Sequence, residues 1–322
     1  MIVPVCYFYR NFLEKNKIFD TPGNLKQHKI PTPKGIGFIF SIFIFCILLY
    51  YSIYLDNEFS PYNRFWIIPL SVLCLSLISL LDDIIGINQF VRLFLQINFV
   101  IFSFSGLNFD PFSIYHHLFS ISIPPKVMFV IILYCWVFII NLSNFIDGAD
   151  ANFGIFFMVN SINLLILELF NNQSILFINL FILMFFISIL AIFFSKNIKL
   201  KFFLGDSGSI PLGFMIGWLF IQYSFMGYFL EILFINIIYF FDIITTLLLK
   251  IFKRENIFIR HQDFYFIKRL TRVGVNRLNI EHALIGIIGL ILIILNQFEL
   301  INDIFYIPFG LISLFYVFRE KL

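Results

Sequence analysis

Five aspartates stand out among the residues of this sequence that could do chemistry. They occur at three places, each beside Gly or Asn, and are Asp82, Asp83, Asp147, Asp150 and Asp206. The adjacent carboxylates of Asp82 and Asp83 repel each other unless a cation shares them. Mg²⁺ typically binds through one or two carboxylates together with substrate phosphates. The pattern therefore predicts a site for a divalent cation and a substrate that carries phosphate.

The stretch from Asn141 to Asp150 places Asn144 and Asp147 three residues apart, on one face of a helix end. Gly148 follows and permits a tight turn with close approach of a ligand to the backbone. Asn and Asp side chains suit ribose hydroxyls, the edge of a uracil ring or a metal. A polar cap that joins two helices would show the same pattern, and the spacing leaves both readings open.

Asp206 lies in the small-residue stretch Gly205 to Ser209, which leads into a hydrophobic segment. A helix that starts this way can bind an anion through its backbone N–H groups and its dipole. An aspartate there can hold a cation that bridges to the phosphate. The basic residues that suit a polyanionic substrate stand in the polar segments, at Lys34, Arg92, Arg254 and, with a histidine, His261.

The elements that must position these residues are membrane helices. Of the 322 residues, 60% are apolar and 13% are charged, against roughly 45–50% and 25% in soluble domains. This composition excludes disordered, fibrous, secreted disulfide-rich and nucleic-acid-binding proteins. We expect one all-α membrane domain over residues 1–322, a polytopic bundle of about 10–11 transmembrane helices. Ten apolar stretches predict the spans: 36–55, 65–81, 93–109, 127–146, 151–167, 169–195, 207–230, 232–249, 282–298 and 304–318.

The basic residues predict the orientation of these spans. Alternation of the loops puts 20 of the 22 Lys and Arg residues on one side, and only Arg64 and Lys126 on the other. By the positive-inside rule the first side is cytoplasmic. All five aspartates lie on that side, which predicts a cytoplasmic active site.

Taken together, these motifs resemble the polyprenyl-phosphate N-acetylhexosamine-1-phosphate transferases of glycosyltransferase family 4. The resemblance covers about residues 15–285 and includes a His28–Gly37 entry and Asp242 followed by Arg254 and His261. Length and short loops are more similar to the branch that starts O-antigen than to the peptidoglycan branch.

The resemblance implies transfer of an N-acetylhexosamine 1-phosphate from a UDP-sugar to undecaprenyl phosphate. UMP is released, and a lipid-linked surface glycan such as lipopolysaccharide is started. It further implies a bacterial inner (cytoplasmic) membrane, Mg²⁺ or Mn²⁺ as cofactor, membrane lipid as a partner and no nucleic acid. A homodimer is one assembly that it admits.

The resemblance also implies roles for individual residues. The implied metal ligands are Asp206 and Asp147, and the implied catalytic residues are Asp82, Asp83 and His261. The implied substrate-binding residues are Asn144, Asp147, Asp150, Phe203, Arg92, Lys34 and Arg254, with Phe203 near the uracil.

The sequence departs from the family pattern in several ways, two of which concern the motifs. Phe264 stands where relatives often carry a second histidine, and Gly35-Ile36-Gly37 replaces the usual Gly-Gly. Two alternatives stay open: a lipid I synthase that transfers phospho-MurNAc-pentapeptide, and an ion-coupled membrane transporter. A transporter would place its acids near the bilayer midplane rather than at one face.

Overall fold

The computed structural model describes residues 2–16, 18–20, 31–54, 65–104, 124–170, 174–197, 201–255 and 264–321. Within these ranges the chain is almost entirely α-helical, which confirms the predicted all-α class. The helices are α1 (Ile2–Lys15), α2 (Gly37–Tyr54), α3 (Ile67–Ile85), α4 (Gln89–Ser103), α5 (Pro125–Ile146), α6 (Asn152–Phe170), α7 (Ile175–Lys196), α8 (Asp206–Tyr223), α9 (Phe229–Ile235), α10 (Ile237–Lys253), α11 (Tyr265–Val273), α12 (Val275–Gln297) and α13 (Tyr306–Lys321). Two short strands, β1 (Phe19–Asp20) and β2 (Thr32–Pro33), pair antiparallel.

Six helical segments of the described chain are long and apolar enough to cross a membrane. They are Ile67–Ile85, Lys126–Ile146, Asn152–Phe170, Phe177–Lys196, Asp206–Ile235 and Val275–Gln297. Two shorter apolar helices cover Gly37–Ile53 and Gln89–Ser103. Each of the ten predicted spans overlaps a helix. A polytopic membrane bundle is therefore confirmed, and the number of spans stays a prediction.

The chain forms two compact units, and the prediction of a single membrane domain is not tested by this division. The first unit contains Met1–Asp147 and Phe193–Phe229. Helix α8 lies at its centre, packed against α2, α3 and α5, and every residue from Ser207 to Tyr223 is buried. A helix surrounded in this way can be apolar on all sides.

Small residues on α8 allow its neighbours to approach closely. A Cβ placed on Gly37 of α2 would lie 2.1 Å from the Cα of Gly208, so these two backbones touch. A Cβ on Gly217 would lie 2.5 Å from the Trp136 ring of α5. Close contact through small residues is typical of helices that pack in membranes. The result is a tight arrangement that fixes the end of α8 on which Asp206 lies.

The second unit contains Gly148–Ile192 and Leu230–Leu322. In it α6 packs against α12, and α11 and α13 pack against each other and against α12. The predicted span 232–249 is not one continuous helix, because α9 ends at Ile235 and α10 begins at Ile237. At this break the side chains of Asn236 and Asn160 exchange two hydrogen bonds of 2.8 Å. The amide pair satisfies polar groups that would otherwise be buried without partners.

Candidate active site

The carboxylate of Asp83 connects the last turn of α3 to the first turn of α8. Its oxygens accept hydrogen bonds from the backbone N–H groups of Ser207 (3.2 Å) and Asp206 (3.4 Å). The Lys34 ammonium lies 2.8 Å from Oδ1, and the Asp83 side chain is 1% exposed. The helix start that the sequence predicts as an anion site is therefore bound by a carboxylate of the chain itself.

Lys34 reaches Asp83 because the chain before α2 runs beside the chain before α8. The Phe203 N–H donates to the Pro33 carbonyl (2.9 Å), and the Gly35 N–H donates to the Phe203 carbonyl (3.0 Å). Gly35 has φ 117°, and a Cβ on Gly205 would lie 2.7 Å from Asp83 Oδ2. Only glycine fits both positions, the first for its backbone angle and the second for space. In the Gly35-Ile36-Gly37 entry, a glycine therefore stands at the position whose backbone angle requires one.

The charge of Lys34 is fixed by its surroundings. Burial alone would lower the pKa of Lys34, but the Asp83 carboxylate, with Asp206 and Asp20 further away, raises it above the ordinary 10.5. Lys34 is therefore a permanent cation at neutral pH.

Arg92 joins the two remaining carboxylates of this region. Its Nη1 donates to Asp82 Oδ2 at 2.8 Å and to Asp206 Oδ2 at 2.7 Å. Arg92 lies in the first turn of α4, where the Asn88 side chain accepts the Phe90 N–H and caps the helix. One guanidinium thus holds the end of α3 against the start of α8.

We call the residues Lys34, Asp82, Asp83, Arg92 and Asp206 the charged cluster. Three carboxylates and two cations give it a formal charge of −1. Its carboxylates differ in exposure: the side chain of Asp83 is 1% exposed, that of Asp82 8% and that of Asp206 26%. Asp206 is therefore the carboxylate most accessible to a ligand.

Asn144 adjoins the charged cluster through α8. Its Oδ1 accepts a hydrogen bond from the Ser209 hydroxyl at 3.1 Å, and Ser209 lies one turn after Asp206. Asp147 is the residue directly after α5 and belongs to the same unit. The Phe203 ring has the Lys201 ammonium 5.0 Å from its centroid, so a cation already lies over this predicted uracil contact.

The remaining predicted residues belong to the second unit or lie outside the described ranges. The Asp150 carbonyl accepts a hydrogen bond from Asn279 (2.9 Å). Arg254 is the residue directly after α10 and has φ 56°. His261 lies outside the described residues, so its predicted catalytic role stays a prediction, as do the individual roles of the other predicted residues.

The donor chemistry of the charged cluster suits Mg²⁺, which prefers carboxylate oxygens and substrate phosphates. In the described part of the chain, no three His, Cys, Asp or Glu side chains converge as a complete protein metal site. A cation would therefore need one or two carboxylates and the substrate as ligands. Asp206 and Asp147 remain the proposed protein ligands.

Two serines in this region were not among the site residues predicted from the sequence. The hydroxyls of Ser76 on α3 and Ser41 on α2 both donate to the Ser207 carbonyl, at 3.0 and 3.4 Å. All three serines are fully buried. Isolated hydroxyls inside apolar spans are the signal that could have identified them.

Comparison with known proteins finds one family that is similar to part of this chain. Residues 65–224 match the family model for glycosyl transferase family 4. The matched range contains Asp82, Asp83, Arg92, Asn144 and Asp206. No curated protein matches the chain. Residues 65–224 are thus similar to glycosyl transferase family 4.

Proposed function

We propose that this protein transfers an N-acetylhexosamine 1-phosphate from a UDP-sugar to undecaprenyl phosphate, with release of UMP. The family match supports the coarser part, an enzyme that transfers a phospho-sugar to a polyprenyl phosphate. The observation that carries the proposal is the charged cluster, in which three carboxylates and two cations meet at one end of a bundle of apolar helices.

The proposed reaction is a displacement at phosphorus. An oxygen of undecaprenyl phosphate attacks the β-phosphorus of the UDP-sugar, and the bond from this phosphorus to the oxygen shared with the α-phosphate breaks. UMP leaves with that oxygen, and the sugar stays on the transferred phosphorus. Because the attacking phosphate is already an anion, the main barrier is the approach of two negatively charged groups.

The cations of the charged cluster address this barrier. Arg92 uses Nη1 for Asp82 and Asp206, and a guanidinium has further N–H groups that can bind phosphate oxygens. Lys34, held by Asp83, adds a fixed positive charge. The formal charge of −1 on the cluster disfavours anionic substrates unless another cation binds. Mg²⁺ held by Asp206 and Asp147 would neutralise phosphate charge and align the reacting groups.

The membrane fold suits a lipid acceptor. A polyprenyl tail stays in the bilayer while its phosphate lies at the surface, so the reacting groups must stand at a membrane face. The charged cluster lies at the end of α3 and the start of α8, both of which are candidate spans. The sequence predicts that this face is cytoplasmic, where UDP-sugars are made available to the enzyme.

The test is UMP release by the purified protein with undecaprenyl phosphate, Mg²⁺ and a panel of UDP-sugars. We expect UMP from at least one UDP-N-acetylhexosamine, and a loss of 100-fold or more in Asp206→Asn. The matched control is Asp303→Asn, because Asp303 is exposed, belongs to the second unit and bonds Asn296. Release only from UDP-MurNAc-pentapeptide would assign the lipid I branch instead. No release from any donor would overturn the proposal.

A further inference from the structure

The turn that carries Asp150 in the second unit has an unusual backbone. Ala151, the next residue, has φ 67°. Residues with a side chain seldom adopt this left-handed conformation, because Cβ approaches the carbonyl oxygen. Such a conformation persists where the surrounding structure fixes it, and it is common at functional sites. The contacts on both sides of Ala151 therefore need an explanation.

Helix α12 supplies a hydrogen bond on each side of Ala151. The Asn279 Nδ2 donates to the Asp150 carbonyl at 2.9 Å. The His282 Nδ1 lies 2.7 Å from Asn152 Oδ1. Asn279 and His282 are three residues apart, and so share one face of α12. Both are buried, at 3% and 4% exposure.

His282 also contacts the start of α11. Its Nε2 lies 3.3 Å from the Tyr265 hydroxyl, and Tyr265 is the first residue of that helix. An amide oxygen can only accept, so a hydrogen bond to Asn152 Oδ1 requires the proton on Nδ1 and leaves Nε2 to accept from Tyr265. The Tyr239 hydroxyl also lies 3.2 Å from Nδ1. A single imidazole therefore links the turn after Asp150 to the segment that follows His261 in the sequence.

These contacts leave two buried polar atoms unsatisfied within the described part of the chain, which lowers the stability of the fold. Asn279 Oδ1 and Asn152 Nδ2 are buried and have no hydrogen-bond partner among the described residues. Buried polar atoms of this kind disfavour the folded state, and apolar side chains would pack here without that penalty. Polar residues inside membrane helices are costly and usually functional. The residues are thus better explained by the geometry that they impose.

We propose that Asn279 and His282 are positioning residues that hold the Asp150 turn in the shape that binds the nucleotide. The inference rests on the proposed function, because Asp150 is a predicted substrate-binding residue. Neither residue was singled out in the sequence, where His282 marks only the start of a predicted span. Neither is expected to touch the reacting atoms.

The test compares Asn279→Leu and His282→Phe with a matched control. The control is Asn160→Leu, which breaks the buried amide pair with Asn236 two turns further along α6. The measurements are KM for the UDP-sugar, kcat, the affinity for UMP by titration calorimetry, and the thermal unfolding midpoint. We expect the first two variants to raise KM and weaken UMP binding at least tenfold, with a smaller change in kcat. Asn160→Leu should lower the midpoint and leave UMP affinity unchanged.

A conservative variant separates positioning from a loss of folding. In His282→Asn, the amide can still donate to Asn152 but no longer reaches Tyr265, so we expect part of the UMP affinity to return. If both Asn279→Leu and His282→Phe bind UMP with wild-type affinity, the inference is overturned. UMP release by the wild type would still support the proposed function in that case. Equal loss of affinity in Asn160→Leu would also overturn it. A wild type that neither binds UMP nor releases it would overturn both.

Discussion

The carboxylate of Asp83 accepts a hydrogen bond of 3.2 Å from the backbone N–H of Ser207. The two residues are 124 positions apart in the chain, and their contact holds the end of α3 at the start of α8. The same carboxylate binds Lys34. Asp83 is therefore a helix cap and half of an ion pair, in addition to any role in the reaction.

Replacing Asp83 should affect stability as well as activity. In Asp83→Ala the half-buried Lys34 loses its partner and α8 loses its cap, so we expect the free energy of unfolding to fall by about 3 kcal/mol. Asp83→Asn keeps an oxygen that can accept hydrogen bonds from the start of α8, so its free energy of unfolding should fall less. Denaturant unfolding of the purified protein measures both. Equal stability of Asp83→Ala and the wild type would contradict the structural role of this carboxylate.

The hydrogen-bond geometry of the Arg92 guanidinium, in addition to its charge, should contribute to activity. Arg92→Gln leaves Asp82 and Asp206 without their shared donor, and we expect kcat/KM for UMP release to fall about 100-fold or more, on the order of 3 kcal/mol of transition-state stabilisation. Arg92→Lys keeps the charge but bonds two carboxylates and a phosphate less well, so its activity should be intermediate.

The control for Arg92 is Arg10→Gln. Arg10 forms an i,i+4 pair with Glu14 on α1 at 2.8 Å and lies outside the charged cluster. Its activity should stay within about twofold of the wild type, since such pairs contribute little. A comparable loss in both variants would show that the Arg92 effect is not specific.

The contact between Gly37 and Gly208 should tolerate no side chain. In Gly37→Ala the new Cβ would lie 2.1 Å from a backbone atom of α8, so the helices must separate and the free energy of unfolding should fall by roughly 1–3 kcal/mol. In the control Gly289→Ala, the nearest atoms belong to side chains at 3.3 Å and can move. Thermal unfolding of the two variants should rank Gly37→Ala well below Gly289→Ala.

The Lys34–Asp83 pair predicts the pH range over which Lys34 stabilises the fold. The pKa of Lys34 is raised above 10.5 in the folded protein, so its contribution is fully present below that value and is lost as pH rises through the folded pKa. The stability difference between wild type and Lys34→Met should stay constant from pH 7 to about 10 and shrink above it. A difference that shrinks between pH 7 and 9 would contradict the assignment.

Much of the fold could be predicted from the sequence because hydrophobic spans are long and continuous. The break at Asn236 could not be predicted, because the residue that pairs with Asn236 there, Asn160, lies far away in the chain. The five residues of the charged cluster were all predicted, since charges are rare in this chain and stand out. The pairing of these residues was not predicted. The sequence does not show that the Asp83 carboxylate binds the backbone N–H groups at the start of α8, where a substrate anion could also bind.

Asn279 and His282 could not be predicted as positioning residues from the sequence either, because their contacts join distant parts of the chain. Both lie next to or inside an apolar segment, and nothing local marks them. Their partners, the Asp150 carbonyl and the Asn152 side chain, lie 129 and 130 positions earlier. Only the packing of α12 on α6 brings them together.

The most direct test of the central claim follows two labels of the donor. The UDP-sugar would carry tritium in the sugar and ³²P at the β-phosphorus, with undecaprenyl phosphate and Mg²⁺ present. Transfer of a sugar 1-phosphate predicts that both labels enter the lipid fraction in equal amounts, that UMP appears in the water phase, and that Asp206→Asn transfers neither label. Entry of tritium without ³²P, with UDP released, would contradict the account.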